Sequence, residues 1–114
     1  MDIRKELTKG SSAMLVLSVL ENEELYGYMI IKRISERSDN TFNFKEGTLY
    51  PILHNFEACG YVKSYSVQTE GRTRKYYKIT EKGLKALRDA KEEWNAYTAA
   101  VQKVIDVKPA VLKA

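Results

Sequence analysis

Leu49, Ile52, Leu53 and Phe56 recur at i, i+3, i+4 and i+7, the spacing of one face of an α-helix, and Gly60 stands where a C-terminal cap belongs. The outward face of that helix holds Tyr50, His54, Asn55 and Glu57. Pro51 lacks the amide hydrogen an inner helical position needs, so the residues alone allow a start anywhere from Lys45 to Tyr50. Two more helices precede it. The first is expected from Ser11 to Leu20, with a serine as N-cap and Met14, Leu15, Leu17 and Leu20 as its apolar body. Val16 and Val19 make it apolar almost all round, which calls for cover on more than one side, by a core and by a second subunit. After the acidic turn Glu21-Asn22-Glu23-Glu24, a second helix is expected from Tyr26 to Arg37, with Ile30, Ile31 and Ile34 inward and Ser38-Asp39-Asn40 as the closing turn.

The pattern then changes period. Tyr61 to Val67 and Lys75 to Ile79 are rich in tyrosine, valine and isoleucine and flank a polar loop containing Gly71, which predicts a β-hairpin with a basic tip. Thr80 is a natural cap for a final helix from Glu81, because its hydroxyl can accept an unpaired amide hydrogen of the first turn. Within that helix Leu87, Trp94 and Val101 are spaced by seven, and Leu84, Lys91, Thr98 and Ile105 interleave with them, flanked by Tyr97 and Val104. A helix of about 25 residues, roughly 38 Å long, exceeds what so small a domain can cover, and a second copy of the same helix is the economical partner. The expected dimer seam is Leu84, Leu87, Trp94, Val101 and Ile105.

Composition narrows the class. With 114 residues, 44% hydrophobic and 30% charged, the chain suits one folded unit: residues 1–80 as a helical domain ending in the hairpin, 81–106 as a dimerisation helix and 107–114, with Pro109, as a disordered tail. No apolar run approaches the roughly 20 residues of a membrane span, and the polar start is unlike a secretory signal, so a cytoplasmic protein without membrane contact is expected. Cys59 is the single cysteine, which excludes a disulfide framework, and it is expected to be a small buried apolar residue. No metal or cofactor is expected. His54 has no nucleophile at motif spacing, and neither a phosphate-binding glycine loop nor a paired-carboxylate motif is present, so catalysis is not expected. The net charge of +4 matters through its location: Lys63, Arg72, Arg74, Lys75 and Lys78 face Glu70 alone between Tyr61 and Thr80. A concentrated basic patch is the footprint of a polyanion binder.

Three helices followed by a basic two-stranded wing is the order of a winged helix-turn-helix, in an α+β, mainly α, fold. In that arrangement the helix bearing Tyr50 and His54 enters the major groove, and Arg72, Arg74 and Lys75 reach phosphates or the adjacent minor groove. Tyr26-Gly27-Tyr28, Glu46-Gly47-Thr48-Leu49-Tyr50-Pro51, Gly60-Tyr61-Val62 and Gly71-Arg72-Thr73-Arg74-Lys75-Tyr76-Tyr77-Lys78-Ile79-Thr80, in this order and spacing, resemble the PadR family of transcriptional regulators. The resemblance spans about Gly10 to Ile105 and implies a third helix that begins before Pro51. It implies that Tyr50 approaches the DNA backbone, that Thr48 sits at the start of the recognition helix, and that Arg72, Arg74 and Lys75 are the wing cations. Strand alternation puts Tyr76 and Tyr77 on opposite faces, one in the core and one toward DNA. For Tyr50, packing as a surface tyrosine against the turn is the competing reading.

With one final helix and no further domain, the chain is similar to the short members of that family, including the LmrR-like multidrug-sensing repressors. In those a tryptophan pairs with its mate across the dimer to form a flat aromatic pore, and Trp94 matches that place. The resemblance thus implies a planar aromatic ligand at the dimer interface, with Met14, Leu17, Tyr97 and Thr98 around Trp94. Those sensors carry an acid where this chain has Thr98, which removes one reason to prefer cationic ligands. Plain packing in a dimer core is the other reading of Trp94. The expected partners are double-stranded DNA, a second copy of the chain and that ligand. The competing function is a winged-helix module that binds protein, which has no need of a basic wing tip. A small-molecule carrier would leave Tyr50 and the wing unexplained.

Overall fold

The computed structural model describes residues 1–106, so the tail expected at 107–114 lies outside the described residues. Helix α1 (Ile3–Val19) begins well before the expected Ser11, because the Asp2 carboxylate accepts the backbone N–H groups of Arg4 and Lys5 at 3.0 and 3.3 Å. Ser11 and Ser12 are therefore not caps. They are buried inside the helix, and their hydroxyls donate back to the preceding turn, Ser12 to the Thr8 carbonyl at 2.7 Å. A two-residue strand β1 (Leu25–Tyr26), too short to show alternation in the sequence, precedes helix α2 (Gly27–Arg37).

Helix α3 (Glu46–Cys59) contains Pro51. The proline forfeits a bond to the carbonyl of Gly47, and because Gly47 is exposed, water can serve that carbonyl. Leu49, Leu53 and Phe56 form its buried face and Gly60 ends it in the left-handed conformation, φ 78°. Cys59 is exposed, contrary to expectation: it is the last helical residue, beyond Phe56, the final core position.

Strands β2 (Val62–Thr69) and β3 (Arg72–Ile79) form a longer hairpin than expected, closed by Glu70 and Gly71, both at positive φ (47° and 75°). A two-residue turn of this kind matches the twist of its strands. Arg72 and Arg74, expected in the loop, are consequently strand residues like Lys75. The antiparallel sheet has the order β1-β3-β2, with Tyr76 opposite Tyr26 on one side and Tyr65 on the other.

Helix α4 (Glu81–Ile105) is capped by Thr80, whose hydroxyl accepts the Gly83 N–H at 3.0 Å. Its first two turns belong to the core. Leu87, expected in the dimer seam, is 1% exposed and belongs to the chain's own core cluster with Val16, Leu20, Leu53 and Tyr77. Leu17, expected beside a ligand, is likewise core at 4% exposure. Both sit where α1 and α4 meet the domain interior, and a single chain already covers them. Beyond Ala90 every described residue of the helix but Thr98 is exposed, and Lys91 still pairs with Glu21 at 3.2 Å.

Gly83 is where the start of α4 meets the hairpin base. A Cβ there would collide with the Tyr61 carbonyl oxygen, a backbone atom that cannot swing away. Gly83→Ala should therefore destabilise the chain by about 1–3 kcal/mol, the usual cost of overpacking, despite alanine's better helix propensity. Urea unfolding checks this, and equal or higher stability would show that the junction can yield.

Candidate nucleic-acid interface

Alternation along β3 sorts the wing residues onto two faces. Thr73, Lys75, Tyr77 and Ile79 share one, and Arg72, Arg74, Tyr76 and Lys78 the other. Tyr77 is 2% exposed and fixes the first face against the helices. On that face the Lys75 ammonium lies 3.3 Å from the Glu57 carboxylate and 5.5 Å from the centre of the Tyr77 ring. Ser64 donates to the other Glu57 oxygen at 2.9 Å. Burial pushes the Glu57 carboxyl up, but hydrogen bonds from Ser64 and Lys75 and the Lys75 charge outweigh it and hold the group below the ordinary carboxylate range. The Glu57 hydrogen bond raises Lys75 in turn. Lys75 is thus a tie between the wing and α3.

The opposite face is an aromatic ladder. Tyr76 lies 5.4 Å from Tyr26 and 5.7 Å from Tyr65, ring centre to ring centre. The Arg74 guanidinium sits 4.6 Å over the Tyr26 ring, an orientation that holds the cation without neutralising it. The Tyr65 hydroxyl donates to Glu24 at 2.6 Å, a bond that raises its pKa. Arg72 is exposed, and among the described residues neither it nor Arg74 has an ion-pair partner. Tyr76 and Arg74 are both half-buried within the ladder, while Arg72 is exposed.

On α3, Thr48 is exposed in the first turn and His54 one turn after Tyr50. Tyr50 is 37% exposed and folds back over α2: a Cβ at position 27 would come within 2.5 Å of its hydroxyl oxygen. Gly27 is therefore the seat of the Tyr50 ring. Glu57, three residues after His54, is where the outward side of α3 meets the wing.

A second region lies between α1 and α4. Two open cavities of about 380 and 440 Å³ flank Trp94 and share Leu7, Met14 and Tyr97 in their walls. The larger adds Phe42, Thr98 and Val101, and the smaller adds Glu6 and Glu93. Of the residues expected around a ligand, the structure gathers Met14, Trp94, Tyr97 and Thr98 here and leaves Leu17 in the core. Leu84 is half-buried, while Val101 and Ile105 are exposed along the free part of α4.

The profile of the PadR-like transcriptional regulator family matches residues 16–89, from the second half of α1 into α4. The chain belongs to this family. A transcriptional regulator from Clostridium thermocellum superposes with a TM-score of 0.83 at 34% identity, covering 89% of this chain and 99% of that one. A PadR family transcriptional regulator from Eggerthella lenta gives 0.82 at 32% identity, over 90% and 88% of the two chains. A transcriptional regulator of Mycobacterium tuberculosis is 29% identical over 83 residues, 73% of this chain and 75% of its own. PadR-like proteins are regulators and not enzymes, in line with the lack of a catalytic motif. No helix among the described residues is long and apolar enough to cross a membrane.

Sequence reasoning missed two features of this PadR-family chain. The Glu57 tie joins residues 18 positions apart through a register that no local pattern encodes. Leu7 escaped because the first helix was expected to start after it. The seven-residue interval from Leu7 to Met14 was the available signal, and Gly10 between them completes that face of α1.

The Glu57 tie has a pH signature. A carboxyl whose folded-state pKa is depressed contributes stability that is complete above its unfolded value, about 4.3, and is lost as pH falls through the folded value. The stability lost in Glu57→Gln should be constant from neutral pH to about pH 5 and shrink in more acidic solution, read by urea unfolding at each pH. A loss that stays constant to about pH 3 would disconnect Glu57 from Lys75.

Proposed function

We propose that this chain is a homodimeric repressor that binds an inverted-repeat operator in duplex DNA, acts in the cytoplasm, and is released by a planar aromatic ligand held at the dimer interface. The observation that carries the DNA reading is the wing pinned to α3 by Glu57, Ser64 and Lys75 while Arg72 and Arg74 beside it have no ion-pair partner among the described residues. With α3 in the major groove, Thr48, Tyr50 and His54 face DNA from the helix, and the two arginines meet the neighbouring phosphates. Lys75 orders the wing, and Tyr76 supports Arg74 through the ladder.

Dimerisation rests on the apolar surface that α4 and α1 leave open: Trp94, Tyr97, Val101, Val104 and Ile105, with Ile3 and Leu7 nearby in sequence order on α1. Two-fold pairing of such a face is the commonest way to cover it, and it presents two recognition helices to a palindromic site. Tyr97→Asp with Val101→Asp should halve the sedimenting mass and leave the protomer folded, since neither residue is in the core. Arg72→Ala with Arg74→Ala should preserve the dimer and lower the slope of log affinity against log salt by about 0.9 for each phosphate that is no longer neutralised. A native chain that sediments as a monomer, or a slope that the arginine changes do not move, would overturn this reading.

The ligand reading rests on the cavities at Trp94. The indole is partly exposed, lies 6.2 Å from the Tyr97 ring, and on a two-fold axis would face its own mate, a geometry suited to stacking on a flat molecule. The wall of the larger cavity holds no carboxylate among the described residues, so a neutral planar compound should bind there at least as well as a cationic one. Trp94 is the sole tryptophan, and its fluorescence should be quenched saturably by planar dyes, with DNA affinity falling in parallel. Trp94→Ala should lose the dye and keep the DNA. No quenching across a panel of dyes, with emission already blue and shielded from iodide, would make Trp94 closed dimer packing.

A further inference from the structure

An open groove of about 700 Å³ separates the N-terminal half of α1 from residues 40–45 and the first turn of α3. Its walls carry Arg4, Lys5, Lys9 and Lys45 against the single carboxylate of Asp2. That carboxylate is already engaged by the first-turn amides of α1, and the Arg4 guanidinium donates to the Thr41 carbonyl at 3.3 Å. Lys5, Lys9 and Lys45 have no ion-pair partner among the described residues. Glu6, the nearest acid on α1, lines the cavity beside Trp94 instead, and Glu46 is not part of the groove wall. Lys5 and Lys9 are four apart on one helix face, where like charges oppose each other and weaken the helix unless an anion relieves them.

From this geometry we infer that the groove is an additional seat for the DNA backbone, in which Lys5, Lys9 and Lys45 neutralise phosphates bordering the major groove that α3 occupies. The choice of DNA over a free anion comes from position: Thr48 and Lys45, at the start of α3, form one wall. A strand edge that meets the recognition helix passes this wall, and the α1 lysines stand across it. The inference rests on the DNA reading above and extends its footprint from the wing and α3 to the N-terminal half of the first helix, which lies outside the matched residues 16–89.

The test is binding of the full chain to a random-sequence duplex of about 30 base pairs, followed by fluorescence anisotropy between about 50 and 200 mM salt. Lys5→Ala with Lys9→Ala removes two cations per protomer and should lower the salt slope by about 3.6 for the dimer, so that each doubling of salt costs the native chain about twelvefold more affinity than the variant. Lys85→Ala with Lys103→Ala removes the same charge from α4 and should leave the slope near its native value. Both pairs are exposed, and thermal unfolding confirms that the variants fold. An unchanged slope in the α1 variant, or an equal drop in the α4 variant, overturns the inference. If Arg72→Ala with Arg74→Ala flattens the slope while the α1 variant does not, only this inference fails; if the native chain does not bind the duplex, the DNA reading falls with it.

Discussion

The junction of Gly60, Tyr61, Thr80 and Gly83 sets the geometry of the whole chain. The Tyr61 carbonyl accepts the Thr80 N–H at 3.0 Å, the Thr80 hydroxyl lies 2.6 Å from the Gly60 carbonyl, and the same hydroxyl receives the Gly83 N–H. One threonine thus closes the base of the hairpin, follows the end of α3 and starts α4. With no side chain at position 83, α4 can approach the Tyr61 backbone closely enough to sink Leu87 into the core. The direction in which the free part of α4 leaves the domain follows from that approach, and with it the spacing of two recognition helices in any dimer built through α4. A pair of α3 helices must stand about one turn of DNA apart to read a palindrome, so under the proposed dimeric reading this small polar knot would bear on the half-site spacing.

The wing is held more strictly than its length suggests. A two-stranded ribbon alone is marginally stable in water. Here β1 adds a third strand at its base, Tyr77 anchors one face, and Glu57 fixes the middle of the ribbon to α3. The outer face is stiffened by the ladder of Tyr26, Tyr76 and Tyr65 with Arg74 seated on it. Cross-strand aromatic pairs contribute a few tenths to about 1 kcal/mol each, enough to order a strand end that is otherwise mostly solvated. Ordering a cation before binding lowers the entropy cost when it meets a phosphate.

Much of this was legible in the sequence because it is periodic. The 3.6-residue stripe of Leu49, Leu53 and Phe56, the glycine cap at 60, the Thr80 cap and the long final helix each rest on local chemistry that survives folding unchanged. What was misjudged depends on tertiary packing. Leu87 fits a heptad seam and a core stripe equally well, and only the close approach at Gly83 decides for the core. Ser11 has the chemistry of a cap, but Asp2 competes for the role from further upstream, and the serine hydroxyl is satisfied within the helix. Cys59 follows the apolar stripe past the point where the core ends. Among the site residues, the sequence identified the wing cations as a group but could not divide them: strand alternation sends Lys75 to Glu57 and Arg74 to Tyr26, and that division depends on the register of β2 against β3.

Helix α1 lies between the two regions assigned to DNA and to ligand. Leu7, Gly10 and Met14 on one side line the cavities at Trp94, while Lys5, Lys9 and Ser12 on another line the basic groove beside α3. Phe42 belongs to both walls, facing the larger Trp94 cavity and the groove. Such contiguity offers a route for coupling, but it is not coupling itself: a ligand that binds equally well to two arrangements of α1 shifts neither. To weaken DNA binding, a planar molecule at Trp94 must favour an arrangement in which α1 or Phe42 has moved, and by linkage DNA must weaken the ligand by the same factor. The half-buried Phe42 ring is the element best placed to transmit such a change, since it lines both the larger cavity at Trp94 and the groove that holds Lys5 and Lys9.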